Sequence, residues 1–291
     1  MQRAQVFAAL LMVQLLFSVN YIVSKGLLQF FPPLTWATIR VIVTAALLLL
    51  IAWASKKKSP TLNREFILPL IGFSLLGVMI NQGAFLLGLA RTTPTNSAVI
   101  NTLIPIFTLM IVTLRGQEQL TLRKAIGFLS ALLGVISLRR VEEFTLSNST
   151  VIGDLLTALN CLSYACFLSY SKNFLKKNDR LWTTAWLFTV GAVGFSLFNF
   201  SELTTFVWPV LTSSLWASMT FAILGGTLAA YFLSIWALAH TQSSSVALFI
   251  YLQPIFTAMT LWVWQGEQPS LRSFISTALI FIGMLLGLQN K

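Results

Sequence analysis

Charged residues are scarce in this chain, at 9% of its 291 residues, and acidic residues are the scarcest, with eight Asp and Glu against 19 Lys and Arg. Soluble globular domains typically have about 25% charged residues. Hydrophobic residues make up 56% of the sequence and the mean hydropathy is +0.81. Apolar runs repeatedly reach the roughly 20 residues that cross a bilayer core. The composition excludes a soluble fold and predicts an all-α membrane protein in contact with the lipid bilayer.

Residues that support catalysis or bind metals are equally scarce. His240 is the only histidine, and the two cysteines, Cys161 and Cys166, lie five positions apart on one predicted helix and so point away from each other. The sequence has no Gly-rich phosphate loop, no Gly-x-Ser-x-Gly motif and no metal-ligand cluster. We therefore predict no enzymatic activity, no catalytic or metal site and no cofactor, and an ATP-driven pump is disfavoured. A channel is disfavoured too, because channels usually need symmetric subunits or charged rings.

Ten apolar runs are expected to cross the membrane. The first is too long for a secretion signal and lacks a small-residue cleavage site, so we interpret it as an uncleaved first helix. The ten runs are 6–28, 34–54, 66–89, 97–114, 125–138, 151–171, 181–200, 215–239, 246–264 and 274–288.

A duplicated stretch organises the sequence. Leu103-Ile104-Pro105-Ile106-Phe107-Thr108 returns as Leu252-Gln253-Pro254-Ile255-Phe256-Thr257, 149 positions later (254 minus 105). Identities at the same offset continue on both sides of this stretch without a gap, from Leu89/Leu238 through Glu118/Glu267 to Gly134/Gly283. The chain is therefore predicted to consist of two copies of a five-helix repeat, at 1–144 and 145–291.

The net charge of +11 would suit nucleic acid binding, but the distribution of the basic residues indicates a different cause. With the N-terminus in the cytoplasm, thirteen basic residues fall inside and four outside, as the positive-inside rule requires. Both termini are therefore predicted to be cytoplasmic, and no nucleic acid partner is expected. The inner residues are Arg3, Lys56, Lys57, Lys58, Arg64, Arg115, Arg123, Lys124, Lys172, Lys176, Lys177, Arg180 and Lys291, and the outer ones are Arg91, Arg139, Arg140 and Arg272.

An odd number of spans in each copy inverts the second copy relative to the first. Arg115 and Lys124 of an inner loop accordingly become Trp264 and Ser273 in the outer loop. Inverted repeats are typical of secondary transporters, whose solute site lies between the repeats near the middle of the membrane. The expected fold is ten transmembrane helices in two inverted five-helix repeats, and the expected partner is a small-molecule solute.

Several stretches resemble a known family. Phe17-Ser18-Val19-Asn20-Tyr21-Ile22-Val23-Ser24-Lys25, then Pro32-Pro33 followed by Arg40, and the two proline-to-glutamate units ending at Glu118 and Glu267 are similar to the EamA-like branch of the drug/metabolite transporter superfamily. The resemblance covers essentially the whole chain. It implies a bacterial inner-membrane carrier of small metabolites, commonly an exporter of amino acids or related compounds. Phe17 stands where the family often has tryptophan, which leaves the subgroup and the substrate open.

Polar residues beside the two repeated prolines are the first candidates for solute binding. Asn101 shares a helical stripe with Pro105, and Gln253 begins a comparable stripe beside Pro254. Proline frees a carbonyl one turn back, and irregular backbone at membrane depth is tolerated where it lines a cavity or is buried in protein. A simple packing kink is the alternative, but its recurrence in both copies favours a cavity.

Four further residues complete the predicted substrate-binding set. Asn160 and Tyr164 share one face of the sixth span, although tyrosine is also an ordinary lipid-facing residue. Asn81 lies among glycines of the third span, where close helix packing is the alternative role. The helical wheel of the first span does not decide which face points inward, and the family resemblance favours Asn20.

The remaining charged residues are informative mainly by their positions. Arg40 and Lys25 can either anchor the helix at the membrane interface by snorkelling or bind an anion. Glu118 and Glu267 lie in short loops, and pairing with Arg123 and Arg272 five residues later is favoured.

The sequence thus predicts an alternating-access carrier that exports an amino acid or a related amphipathic compound, with the solute held among spans one, three, four, six, eight and nine. The alternatives are a membrane receptor or scaffold that does not transport, and a proton-coupled antiporter. All eight acidic residues fall in loops or at span ends, so a carboxylate proton relay is not expected. Asp154, four residues into the sixth span, is the candidate that would provide one.

Overall fold

The computed structural model describes residues 2–92, 97, 98, 100–138, 148–265 and 271–288, and within these ranges the regular secondary structure is entirely helical. The predicted repeat boundary at 144/145, the pairing of Glu267 with Arg272 and the outer Arg139 and Arg140 lie outside the described side chains. The longer helices are α1 (Gln2–Leu27), α2 (Pro33–Ala54), α3 (Arg64–Arg91), α4 (Leu103–Leu114), α5 (Leu122–Leu138), α6 (Asn148–Lys177), α7 (Arg180–Phe198), α8 (Ser213–His240), α9 (243–265) and α10 (Leu271–Leu288). A short helix, Phe200–Thr205, lies between α7 and α8.

Large apolar side chains cover the outside of this bundle. Trp53, Leu114, Phe198 and Val210 are each more than three-quarters exposed. Such a surface is stable only against lipid or a partner. In the described part of the chain, seven helices are long and apolar enough to cross a membrane, and two shorter apolar helices are Leu103–Leu114 and Phe274–Leu288. The prediction of an all-α membrane protein is therefore confirmed.

The helices pack in a few preferred pairs: α5 with α10, α2 with α7, α3 with α6, and α1 with α8. Glycines allow the closest of these approaches. A methyl group on Gly283 would lie 2.5 Å from the carbonyl oxygen of Gly127, and one on Gly127 would lie 2.5 Å from the backbone nitrogen of Gly287. Small residues let helix backbones touch in this way, and that dispersion contact holds membrane helices together.

Two long helices contain a π-helical segment at corresponding positions. In α3 the segment is Leu75–Ile80, and in α8 it is Leu224–Ala229. The two segments are 149 positions apart (224 minus 75), which is the offset of the sequence duplication. A π-helical turn widens the helix and re-aims the side chains that follow it. The residues that follow the two segments, Asn81 and Gln82 in α3 and Ala230 and Tyr231 in α8, are all buried.

A polar side chain, Asp179, caps the start of α7 at the end of the bundle that carries Lys57. The side chain of Asp179 accepts hydrogen bonds from the backbone N–H groups of Leu181 and Trp182, and it pairs with Lys57 at 3.1 Å. Partial burial opposes ionisation of Asp179, but these N–H groups and the Lys57 ammonium together lower its pKa. A helix N-terminus with a charged cap is stabilised in this way.

Candidate functional site

A cavity lies at the centre of the bundle. Its walls come from α1, α2, α3, α4 with the turn before it, α6, α8 and α9, and its free volume is small, about 70 Å³. At about 10–15 Å³ for each water, this space holds roughly five water molecules. The lining residues are Phe17, Asn20, Tyr21, Arg40, Asn81, Gln82, Phe85, Asn101, Ile104, Asn160, Tyr164, Gly226, Tyr231, Ile250 and Gln253.

Breaks in two helices open this space. Asn101 and Thr102 form a turn before α4, so the predicted continuous span 97–114 is interrupted, and the Asn101 carbonyl accepts a hydrogen bond from the N–H of Ile104 at 3.1 Å. In α9 a 3₁₀ turn, Phe249–Leu252, stands before Pro254. Proline cannot donate a backbone hydrogen bond, so the preceding turn is free to tighten. The breaks let Asn101 and Gln253 face the cavity.

Six of the eight residues predicted to bind substrate line this one cavity: Asn20, Asn81, Asn101, Asn160, Tyr164 and Gln253. Pro105 and Pro254 are absent from its wall, although both lie within four positions of lining residues. Their effect is on the backbone, because each removes a donor N–H and distorts the turn that carries the polar side chains. The assignment of the proline rings themselves to the wall is not supported by this geometry.

Seven side chains form a continuous chain of hydrogen bonds through the cavity wall. Each donates to the next, in the order Tyr231, Asn81, Asn160, Asn101, Tyr21, Gln253 and Gln14. The Asn81–Asn160 bond is 2.6 Å and the Asn160–Asn101 bond is 2.8 Å. The members come from five helices and the turn before α4, in both halves of the chain. A network of this kind satisfies buried amides and positions them as a unit.

Close approach of α8 to α1 fixes the position of Asn20. A methyl group on Gly226, within the π-helical segment, would lie 2.4 Å from the side-chain oxygen of Asn20. Asn20 and Tyr21 both reach the cavity, although they are adjacent in the helix. The helical wheel did not choose between the two faces of α1, and the structure buries both because α8 packs on one and α9 on the other.

Several cavity residues were not among the predicted binding residues: Phe17, Tyr21, Arg40, Gln82, Phe85 and Tyr231. Arg40 is the most informative, because its side chain is only 2% exposed and donates to Gln82 Oε1. The interface-anchor role considered for Arg40 is therefore wrong, since the side chain turns inward. The feature of the sequence that indicates this inward position is an arginine inside an apolar run, in a chain that has few acidic residues.

A group of polar contacts around Lys25 joins helices beyond one end of the cavity. Lys25 is five residues after Asn20, which places it about 7 Å further along α1. Lys25 Nζ donates to the carbonyl oxygens of Leu89 at 2.7 Å and Thr92 at 3.0 Å. The hydroxyl of Thr92 donates to Asp154 Oδ1 at 2.6 Å, which ties α3 to α6. Lys25 thus binds the C-terminal carbonyls of α3, where a helix dipole favours a cation.

A buried ion pair joins the helices beyond the opposite end. Lys124 Nζ donates to Glu118 Oε2 at 2.7 Å and to Gln242 Oε1 at 3.0 Å. The same carboxylate accepts hydrogen bonds from the backbone N–H of Ser244, at 3.2 Å, and from its hydroxyl. Glu118 therefore pairs with Lys124 rather than with the predicted Arg123. The reason is that the Lys124 side chain points towards Glu118 and towards Gln242, the residue that precedes α9.

A vestibule opens on this same side of the protein. Its wall includes four basic residues and His240, and in the part of the chain that the structure describes none of its lining residues is acidic. The His240 ring lies against Trp236, with 4.5 Å between ring centroids. The charged and titratable lining residues are Arg3, Arg123, Lys172, Lys176 and His240.

In the described residues, a helical bundle with an apolar exterior encloses a small polar cavity whose wall joins both halves of the chain, an arrangement typical of membrane transporters. The sequence profile of the EamA-like transporter family matches residues 5–140 and again residues 151–288. The chain belongs to the EamA-like transporter family and is a transporter and not an enzyme. It is a multi-pass membrane protein.

Related proteins span bacteria, archaea and plants. An uncharacterised transporter, YoaV, of Bacillus subtilis is 23% identical over 97% of this chain and 96% of its own length. An uncharacterised transporter of Archaeoglobus fulgidus is 25% identical over 95% of each chain. Protein WALLS ARE THIN 1 of Arabidopsis thaliana is 24% identical over the whole of this chain and 84% of its own length. A solved structure recorded as "Crystal structure of protein" has the same fold, with a TM-score of 0.79, 17% identity and coverage of 98% and 96%.

Proposed function

We propose that this protein is a secondary carrier that works by alternating access and exports a small amphipathic metabolite, such as an amino acid or a related compound, across the bacterial inner membrane. The observation that carries the proposal is the central cavity, whose wall joins side chains from both halves of the chain. Helix-joining contacts lie beyond both of its ends, at Lys25 and at Glu118. The small cavity corresponds to a conformation that must widen before a metabolite fits. Rocking of one half against the other would release either set of contacts in turn.

Ten spans in two inverted repeats are part of this proposal. At the offset of 149, α1, α3 and α4 correspond to α6, α8 and α9. Equivalent pairs of helices are in contact: α3 packs on α6 and α8 packs on α1, and likewise α4 packs on α6 and α9 packs on α1. The pairs α2–α7, α5–α10 and α4–α9 join each helix to its own equivalent. This pattern supports a twofold relation between the halves. With five spans in each half, that relation inverts the second half in the membrane.

Cysteine labelling tests the inversion and the cytoplasmic termini. Gln29 and Asn178 are equivalent positions of the two copies (178 minus 29 is 149). In a background with Cys161 and Cys166 replaced by alanine, we expect Gln29→Cys to react only from outside and Asn178→Cys only from the cytoplasm. Lys57→Cys, which is exposed, is the cytoplasmic control. Labelling of Gln29→Cys and Asn178→Cys from the same side would contradict the inverted arrangement.

Transport itself is tested in two steps. Metabolite profiling of cells with and without overproduction of the protein identifies solutes that accumulate outside. Counterflow of the identified solute in proteoliposomes then measures carrier activity without other proteins. A protein that binds the solute but gives no counterflow would be a receptor or scaffold, and the carrier proposal would fail.

A proton-coupled antiporter is the second candidate, and Asp154 is the observation in its favour. Its side chain is buried, its Oδ1 accepts from Thr92, and its Oδ2 has no partner. We nevertheless expect counterflow to proceed equally with and without a pH gradient, because no acidic side chain is found among the described residues that line the central cavity. Asp154→Asn should retain at least half of the activity. Uphill accumulation driven by the pH gradient alone, and lost in Asp154→Asn, would establish the antiporter instead.

A further inference from the structure

Arg40 is a buried cation without a counter-charge. Its side chain is 2% exposed within the bundle. Among the described residues, ion pairs form only between Lys57 and Asp179 and between Lys124 and Glu118, so no carboxylate is within ion-pair distance of Arg40. A charged side chain inside a membrane protein is costly, and it normally pairs or serves the transported species. The positive charge of Arg40 therefore requires an explanation from function.

A hydrogen-bond donor beside the cavity lacks an acceptor among the described residues. Arg40 Nη2 donates to Gln82 Oε1, but Arg40 Nε has no acceptor there. The Gln82 amide in turn lies beside the Tyr231 hydroxyl. The side chains of Arg40 and Gln82 are both 2% exposed and both line the cavity. A buried donor without an acceptor costs about 1–3 kcal/mol. An acceptor group brought in by the solute would satisfy Arg40 Nε.

The rest of the cavity wall, apart from Arg40, consists of uncharged residues. Five aromatic rings contribute to it, and the amides of the hydrogen-bond chain are bonded to one another or to tyrosine hydroxyls. None of the described residues that line the cavity is acidic, so the charge of Arg40 is not balanced within this wall. A phosphate ester, which is a dianion, usually requires several converging basic residues. The rings are those of Phe17, Tyr21, Phe85, Tyr164 and Tyr231.

We propose that Arg40 and Gln82 bind the carboxylate of the transported solute, whose apolar or aromatic body then lies against the rings. The inference rests on the proposed carrier function and defines its substrate class as carboxylate-bearing metabolites. Arginine suits this role because its planar fork binds a carboxylate through two parallel hydrogen bonds. An amino acid and a simple carboxylic acid share this chemistry, and the basic vestibule would attract either one when its net charge is negative.

Binding to the purified full-length protein tests the proposal without requiring transport. The probes are 3-phenylpropionate and its primary amide, which has almost the same shape but no charge. Phenylalanine and phenylalaninamide form a second pair, and calorimetry measures the affinities. We expect the wild-type protein to bind each carboxylate at least about tenfold more tightly than its amide. Comparison of phenylalanine with 3-phenylpropionate distinguishes an amino acid site from a site for simple acids.

Variants identify the cation responsible. Arg40→Gln should abolish the tenfold preference for the carboxylate, and Arg40→Lys should retain part of it, because lysine keeps the charge without the fork. Gln82→Leu, which keeps Arg40, should reduce carboxylate affinity severalfold. Arg64→Gln is the matched control, because Arg64 is exposed at the start of α3 and should leave both affinities unchanged.

Equal affinity of the wild-type protein for carboxylate and amide, or no binding of either, would overturn the proposal even if Arg40→Gln does not fold. Undiminished carboxylate preference in a folded Arg40→Gln protein would overturn it as well. Carboxylate binding that depends on Arg40 but occurs without counterflow would support the site and refute the carrier. Counterflow of neutral solutes or amines without carboxylate binding would support the carrier and refute the carboxylate site.

Discussion

Glu118→Ala is expected to cost about 3–5 kcal/mol of folding free energy, because it leaves a buried ammonium without its counter-charge. The side chains of Glu118 and Lys124 are 3% and 4% exposed. The carboxylate also accepts from the backbone N–H of Ser244, so its loss leaves that donor unsatisfied at the start of α9. Denaturant unfolding of the purified protein, or its thermal transition, measures the effect.

Two further variants separate the ion pair from a general effect of mutation. Lys57→Ala breaks the exposed pair with Asp179, where the lysine side chain is 59% exposed, and should cost only about 0–1 kcal/mol. The double variant Glu118→Ala with Lys124→Ala should be more stable than Glu118→Ala alone, because it removes the unpaired charge. A double variant as unstable as the sum of the two single variants would show that the pair contributes no coupling.

Asn101→Ala is expected to reduce the initial rate of counterflow at least tenfold, about 1.4 kcal/mol in barrier height, while lowering stability by only about 1–2 kcal/mol. Asn101 is the central member of the hydrogen-bond chain, accepting from Asn160 and donating to Tyr21. Its removal divides the chain into two separate pieces, Tyr231–Asn81–Asn160 and Tyr21–Gln253–Gln14, so the polar wall is no longer held as one unit. Gln253→Ala should have a similar effect, because Gln253 links Tyr21 to Gln14.

Asn178→Ala is the matched control for Asn101→Ala. It truncates the same residue type and also loses one hydrogen bond, to the carbonyl of Phe174 at 2.9 Å, but it lies outside the cavity. Transport by this variant should be within twofold of wild type. If Asn101→Ala loses folded protein and activity in the same proportion, its role is packing and the cavity is not the transport site.

The polar side chains that line the cavity were only partly predictable. Asn101 and Gln253 were found because each stands beside a repeated proline, and that pattern is local in sequence. Arg40 and Tyr231 carry no local pattern, since an arginine within one or two turns of a span end can equally reach the interface. Glu118 was assigned to Arg123 on spacing, yet its partners are Lys124 and Ser244, which is 126 positions away.

The sequence by itself determined the membrane-embedded helical class, the duplication at an offset of 149 and the family, because hydropathy and self-similarity are properties of the linear chain. Only the tertiary structure decided which faces of the helices meet. It buried both faces of α1, turned Arg40 inward, and joined five amides and two tyrosine hydroxyls from both halves of the chain into one series of hydrogen bonds. The physical reason is that lipid and protein interior are equally apolar, so the hydropathy of a span does not specify its inner face. That choice comes from close contacts such as Gly226 against Asn20, which form only when distant helices pack.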